Sequence, residues 1–101
     1  MKRYKVVISN QARHMLREHV HFLALADAVA ARRLYQKIIG ELRGLAQMPE
    51  RYPFWNIENQ RSNYRKLFIP NWYLALYVVV DDTVFVEYII DGRQDYSWLL
   101  S

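Results

Sequence analysis

The stretch that decides the fold is YRKLFIPNWYLALYVVVDDTVFVEYIIDGRQDYSWLL, residues 64–100. Turn-forming residues interrupt its apolar runs at Pro70-Asn71, at Asp81-Asp82 and at Asp91-Gly92. Short runs rich in Val, Ile, Tyr and Phe between such turns are typical of β-strands. The stretch therefore predicts three consecutive antiparallel strands and a short tail. The predicted strands are Tyr64 to Ile69, Trp72 to Val80 and Thr83 to Ile90.

Two helices are predicted ahead of these strands. Apolar residues recur at helical spacing over residues 12–24 and again over residues 31–46. Ser9 or Asn10 supplies an N-cap for the first helix, and Asp27 supplies one for the second. Because few residues separate the two apolar stripes, the helices are expected to form an antiparallel hairpin.

A short strand is predicted before the helices, at residues 4–8, where the sequence is YKVVI. Residues 47–63 are predicted to be a polar connection with Phe54, Trp55 and Ile57 tucked beneath it. The order β-α-α-β-β-β then predicts one α+β domain over residues 1–101. Its helical hairpin would pack on a mostly antiparallel, four-stranded sheet.

The composition indicates a folded chain and is compatible with a reducing compartment. Hydrophobic residues make up 52% of it, with only three Gly and three Pro, which excludes a disordered chain. The absence of cysteine excludes disulfides and thiolate metal sites. The longest apolar run, Leu74 to Val80, is shorter than the roughly 20 residues that span a bilayer. A soluble cytoplasmic protein without a membrane partner is expected.

Positive charge is concentrated in the first two thirds of the chain. Residues 1–66 hold thirteen Lys and Arg against five Asp and Glu, a net +8, whereas residues 67–101 hold one against five, a net −4. This asymmetry indicates either an anionic partner, such as nucleic acid or an acidic protein, or a basic surface that serves solubility alone. Six of the cations fall outside the apolar stripes of the predicted helices, where they form a solvated face or bind an acidic partner. They are Arg13, Arg17, Arg32, Arg33, Lys37 and Arg43.

The common catalytic and metal-binding patterns are missing from the sequence. His14, His19 and His21 all lie in the first predicted helix, and no further residue nearby completes a three- or four-ligand set. No Gly-rich phosphate loop and no nucleophile elbow occurs. We therefore predict neither a metal nor a cofactor.

Basic and phenolic side chains near the predicted sheet offer a different chemistry. Metal-free RNA cleavage needs a base for the 2′-hydroxyl, cations for the phosphorane and an acid for the leaving oxygen. The residues of this kind are Arg61, Arg65, Lys66, Tyr88, Arg93 and Tyr96. The same residues also suit structural roles. Arg65 and Lys66 could be charged residues that protect an exposed strand edge from pairing with another chain, and Tyr96 could pack the tail on the sheet.

Over nearly its whole length the chain resembles the RelE/ParE superfamily of toxins from bacterial type II toxin–antitoxin pairs. The segments that carry the resemblance are YKVVIS at 4–9, MPERYP at 48–53, YRKLFI at 64–69, YLALY at 73–77 and IIDGRQDY at 89–96. The resemblance implies the fold described above and a growth-arresting toxin neutralised by a cognate antitoxin. RelE-like members cut mRNA in the ribosomal A site, whereas ParE-like members inhibit DNA gyrase and are not nucleases.

The resemblance also assigns candidate site residues. Arg65 falls where the RNA-cutting members hold a basic strand residue, Arg93 matches the Arg that follows their last strand, and Tyr96 lies near the position of their catalytic C-terminal Tyr. These three are the candidate catalytic residues. Arg61 and Lys66 are candidates for nucleic-acid binding. Two departures reduce the set of cations, because Leu67 stands where a second strand lysine is often found and Leu74 where an arginine commonly follows the tyrosine.

The sequence thus leaves three functional hypotheses. The first is a ribosome-dependent endoribonuclease, which would bind the ribosome and mRNA. The alternatives are a non-enzymatic inhibitor of DNA gyrase and a degenerate toxin that only binds its antitoxin. In each case the antitoxin is expected to bind the six helical cations.

Overall fold

The structure is a computed structural model that describes residues 2–57, 60–69 and 73–91. Two helices and five strands follow one another along these ranges. They are β1 (Lys5–Ile8), α1 (Asn10–Ala24), α2 (Ala28–Arg43), β2 (Phe54–Ile57), β3 (Gln60–Ile69), β4 (Tyr73–Val80) and β5 (Thr83–Asp91). Two short 3-10 helices, Gly44–Ala46 and Pro49–Arg51, lie between α2 and β2.

The helical hairpin is confirmed, and both helices begin where their caps predict. The Ser9 side chain accepts a hydrogen bond from the backbone N–H of Ala12, and Asp27 accepts one from that of Ala30, each at 3.0 Å. Each cap satisfies one of the N–H groups that have no partner within the first turn of a helix.

The sheet corrects the prediction, because it has five strands rather than four, in the order β1-β5-β4-β3-β2. The additional strand, β2, lies within residues 47–63, which were predicted to be a connection. β3 also begins at Gln60 rather than at Tyr64. β1 pairs parallel with β5, and the other three pairs are antiparallel.

β2 was not predicted from the sequence, because its pairing with β3 is irregular and depends on one side chain. Phe54 is opposite Arg65 and Asn56 is opposite Arg61, so β3 carries extra residues between these two pairs. The buried hydroxyl of Ser62 donates to the carbonyl of Trp55 at 2.7 Å and accepts from the N–H of Tyr64 at 3.1 Å. The Ser62 hydroxyl thus takes the place of regular ladder hydrogen bonds at the bulge, and the sequence lacks the regular alternation by which a strand is predicted.

The helices cover one face of the sheet, which we call the inner face. Leu16 of α1 and Ile38 and Leu42 of α2 join a buried cluster that includes Tyr77 of β4 and Ile89 of β5. On the opposite, outer face a second cluster joins Trp55, Leu76 and Ile90. β4, with apolar side chains on both faces, is the central strand.

A β-bulge in β5 keeps the apolar side chains of this strand on the face where they pack. Tyr77 is opposite Val86 and Leu76 is opposite Tyr88, so Glu87 is the extra residue. The bulge shifts the alternation by one position and brings Ile89 to the same face as Val86. In the part of the chain that the structure describes, no helix is long and apolar enough to cross a membrane.

Candidate functional site

Only one of the three candidate catalytic residues falls within the described ranges. Arg65 lies on β3, whereas Arg93 and Tyr96 lie outside the described residues. Arg65 shares the inner face of the sheet with the buried Leu67, while Lys66 points to the outer face because successive side chains of a strand alternate. The two neighbouring cations are therefore separated by the thickness of the sheet.

Arg65 is half-buried and holds a loop to the sheet. Its Nη1 donates to the carbonyl of Glu50 at 3.1 Å and to that of Tyr52 at 2.8 Å. Its guanidinium also lies 4.1 Å from the centroid of the Phe54 ring. Because backbone carbonyls and an aromatic face both attract a cation, this arrangement satisfies the guanidinium without a carboxylate.

Arg61 lies over the same aromatic ring. Its guanidinium carbon is 3.7 Å from the centroid of Phe54, but the side chain is exposed to solvent. Phe54 thus brings together two of the predicted site residues, Arg61 and Arg65. The sequence offered no signal for this role of Phe54, because the ring reaches the two arginines only through the irregular pairing of β2 with β3.

Tyr77 anchors the same loop from the central strand. Its buried hydroxyl donates to the carbonyl of Pro49 at 2.5 Å. Burial raises the pKa of Tyr77 well above its usual value, and the positive charges of Arg65 and Arg51 oppose that rise only in part. The hydroxyl is a structural donor at neutral pH. We call residues 48–53, which Arg65 and Tyr77 hold to the sheet, the anchored loop.

On the outer face, Tyr64 packs edge-to-face against Tyr88, with ring centroids 5.6 Å apart. Burial, together with the neighbouring Glu87 and Tyr88, raises the pKa of Tyr64 to about 12. A phenol with such a pKa keeps its proton at neutral pH, so Tyr64 is unsuited to act as a general base.

A cavity opens beside Arg65, where β3 and β4 separate. The two strands are paired from Ile69 opposite Tyr73 to Arg65 opposite Tyr77, whereas β4 continues beside β5 as far as Val80. We call the gap beyond Arg65 and Tyr77 the strand fork. Its volume is about 450 Å³. The lining residues are Glu50, Phe54, Asn63, Arg65, Val78, Val79, Val80 and Asp81.

The six helical cations are all exposed. Within the described ranges, the only contact between a basic side chain and a carboxylate is that of His14 with Glu18, at 3.0 Å, so none of the six is neutralised by a carboxylate there. Large apolar side chains are exposed near the tip of the hairpin, namely Phe22, Leu25 and Val29. The hairpin therefore presents both positive charge and apolar surface to solvent.

The described residues contain no group of three or more His, Asp or Glu side chains that could hold a metal ion. His19 instead packs on the sheet, with its Nε2 3.1 Å from the carbonyl of Ile89 and its ring 4.9 Å from that of Tyr73. The described part of the chain thus offers Arg61, Arg65 and the strand fork as its candidate site.

Comparison with known proteins places this arrangement in a family. A family model described as the ParE toxin of type II toxin-antitoxin system, parDE, matches residues 6–96. Among solved structures, a chain of the "Chromosomal ParDE TA system from P. aeruginosa" superposes with a TM-score of 0.76. That match covers 90% of this chain and 98% of the other at 15% sequence identity, which shows a shared fold. The search of curated proteins returned no match.

Proposed function

The chain belongs to the ParE toxin family of type II toxin–antitoxin systems, and from this premise we propose that it arrests growth by inhibiting DNA gyrase without cleaving RNA. The resemblance seen in the sequence assigns gyrase inhibition to the ParE branch and mRNA cleavage to the RelE branch. The proposal places the toxin in the cytoplasm, where gyrase acts on DNA.

The observation that carries the proposal is the engagement of Arg65. A catalytic cation must be available to a scissile phosphate, where it stabilises charge that develops in the transition state. The Nη1 of Arg65 already donates to the carbonyls of Glu50 and Tyr52, and its guanidinium lies on the Phe54 ring. Moving it to a phosphate would break these contacts, which supports a structural role.

The neighbouring positions give further support. Lys66 lies on the other face of the sheet from Arg65, so the two cations do not converge on one phosphate. Leu67, where cutting relatives often place a lysine, is only 2% exposed and belongs to the core. Leu74 packs against the outer cluster of Trp55, Leu76 and Ile90. Both positions therefore hold packed apolar side chains instead of the cations that the cutting relatives place there.

Two assays on one preparation test the proposal. Purified toxin is added to gyrase with relaxed plasmid DNA, and separately to ribosomes translating a defined mRNA whose ends are mapped. We expect supercoiling to fall with increasing toxin while the mRNA stays intact. Normal supercoiling together with specific mRNA cuts would instead support the ribosome-dependent endoribonuclease, and Arg93→Ala should then abolish the cuts. Normal readouts in both assays would support the degenerate toxin.

Membership of the family also implies an antitoxin, and we propose that it binds the helical hairpin. The uncompensated cations there attract an acidic chain, and the exposed Phe22, Leu25 and Val29 offer apolar surface to bury. Antitoxin association should slow as salt is raised, because salt screens exposed charges beyond roughly 10 Å at 0.1 M. An association rate that is independent of salt would argue for a purely apolar contact.

A further inference from the structure

The strand fork exposes the backbone of the central strand. Beyond the pair of Arg65 with Tyr77, β3 leaves β4 and pairs with β2, while β4 runs on to Val80 opposite Thr83 of β5. Residues 78–80 therefore have a strand neighbour on the β5 side and none on the β3 side within the described ladder. This edge lies inside the sheet rather than at its rim.

The exposed edge carries hydrogen-bonding groups. The N–H and C=O of one residue in a strand point to the same side, and successive residues alternate in direction. Among three consecutive residues, at least one therefore directs both groups into the fork. Such groups need a partner, and an added strand is one that satisfies them in register.

The cavity at this edge has the size and lining for a peptide. Its volume of about 450 Å³ lies within the range of roughly 300–1,000 Å³ that is usual for ligand sites. Val78, Val79 and Val80 form one wall and the Phe54 ring contributes to the other, so apolar side chains of an extended segment would be buried there. The Asn63 side chain adds a polar group at the lining.

Charge selects which peptide fits. The exposed guanidinium of Arg61 lies over the Phe54 ring, 3.7 Å from its centroid, and forms no ion pair within the described residues. Glu50 and Asp81 also line the cavity and disfavour a run of acidic residues. The fork therefore suits an apolar segment that carries a carboxylate at one position, where the exposed guanidinium of Arg61 can receive it.

We propose that the strand fork binds a short extended segment of the antitoxin, which adds as a strand along Val78–Val80 and places a carboxylate at Arg61. The partner rests on the toxin–antitoxin assignment, but the site differs from the helical hairpin and is independent of gyrase as the target. The antitoxin would thus hold the toxin at two separate surfaces.

Hydrogen exchange tests the added strand directly. The probe is the protein encoded beside the toxin gene, co-expressed and purified as the complex, together with ten-residue peptides tiling its sequence. We expect the amides of residues 78–80 that face the fork to exchange at least tenfold more slowly in the complex than in the toxin alone. A complex that forms with unchanged exchange there would overturn the inference, as would the absence of any complex.

Two variants keep the test independent of folding. Arg61→Glu reverses an exposed charge and should weaken binding of the active peptide at least tenfold, whereas Asn63→Trp should block binding by filling the cavity. Arg3→Glu is the matched control, because it makes the same charge change at an exposed position beside β1, at the opposite edge of the sheet. Equal weakening by Arg61→Glu and Arg3→Glu would show a general charge effect and contradict the site. Supercoiling measured on the same preparations reports separately on the gyrase proposal.

Discussion

The arginines of the helical hairpin and those of the strand fork lie in two different environments. On the hairpin, Arg17, Arg32 and Arg33 extend into solvent, with no carboxylate partner among the described residues. At the fork, Arg65 is half-buried, donates to two carbonyls and lies on an aromatic ring. Arg61 is intermediate, because it contacts the ring but remains exposed.

The difference shows that a cation's surroundings determine its role. An exposed cation contributes little to stability, yet its charge acts over several ångströms and attracts acidic partners. A cation held by carbonyls and a ring is part of the fold, and its charge is directed at fixed neighbours. Residue type alone therefore did not separate catalytic, binding and structural arginines.

The largest effect is expected from Arg65→Ala. Two carbonyls lose a charged donor and Phe54 loses a cation, which should lower the free energy of unfolding by about 2–3 kcal/mol. Arg61→Ala, which removes only the ring contact, should cost about 0.5–1 kcal/mol. Urea unfolding of both variants measures the contrast, and equal losses would mean that the carbonyl contacts of Arg65 contribute nothing.

A smaller loss is expected from Tyr77→Phe, which releases the anchored loop at its other attachment. The buried carbonyl of Pro49 loses its donor while the ring stays in the core, so unfolding should become easier by about 1–2 kcal/mol. Faster amide exchange at residues 50–52 should accompany the loss. Unchanged stability would indicate that water replaces the hydroxyl.

The anchored loop should also accept a stabilising change at its first residue. Met48 has φ 48°, in the left-handed region, directly before Pro49, and its side chain is exposed. Since that conformation costs a non-glycine residue about 1–2 kcal/mol, Met48→Gly should stabilise the protein by about 0.5–1 kcal/mol after the entropic cost of glycine. The midpoint temperature of thermal unfolding measures this change. A lower midpoint for Met48→Gly would contradict the claim that Met48 is strained.

On the hairpin, Arg32→Ala should change the free energy of unfolding by less than about 0.5 kcal/mol. The same variant should slow antitoxin association and reduce its dependence on salt, because one steering charge is lost. Stopped-flow binding at two salt concentrations checks this. A stability loss as large as that of Arg65→Ala would remove the distinction between the two regions.

Alkaline pH should destabilise the protein through the two tyrosines with raised pKa values, with no effect at neutral pH. Tyr64 has its pKa raised to about 12, and that of Tyr77 is raised as well, whereas an unfolded tyrosine ionises near pH 10. Above about pH 10 the unfolded state loses protons that the folded state keeps, so stability falls as pH rises. Tyr64→Phe should reduce the slope of this fall between pH 10 and 12. An unchanged slope would contradict the raised pKa.

Much of the fold could be predicted because its signals are local. The helical spacing of apolar residues and the caps at Ser9 and Asp27 located α1 and α2, and the turn at Asp81-Asp82 located β4 and β5. β2 could not be predicted, since FWNI shows no clear alternation and its pairing depends on Ser62 at a bulge. The prediction of a four-stranded sheet was wrong for this reason.

The candidate site was predictable only as a set of residue types. Arg61 and Arg65 were selected from the sequence for their charge, and their roles in catalysis or nucleic-acid binding stay predictions. Their meeting at Phe54 and the separation of Lys66 to the other face depend on strand register, which pairs residues far apart in the chain.

By itself the sequence determined the helical hairpin, the three consecutive strands of residues 64–90, the excess of positive charge before residue 67 and the resemblance to the toxin superfamily. These follow from periodicity, turn chemistry and composition, which act over a few residues or over the whole chain. Only the tertiary structure decided that Arg65 secures a loop, that β2 completes the sheet and that β3 and β4 part to leave a fork. Each of these arises where distant segments meet, and there hydrogen-bond geometry rather than residue type sets the outcome.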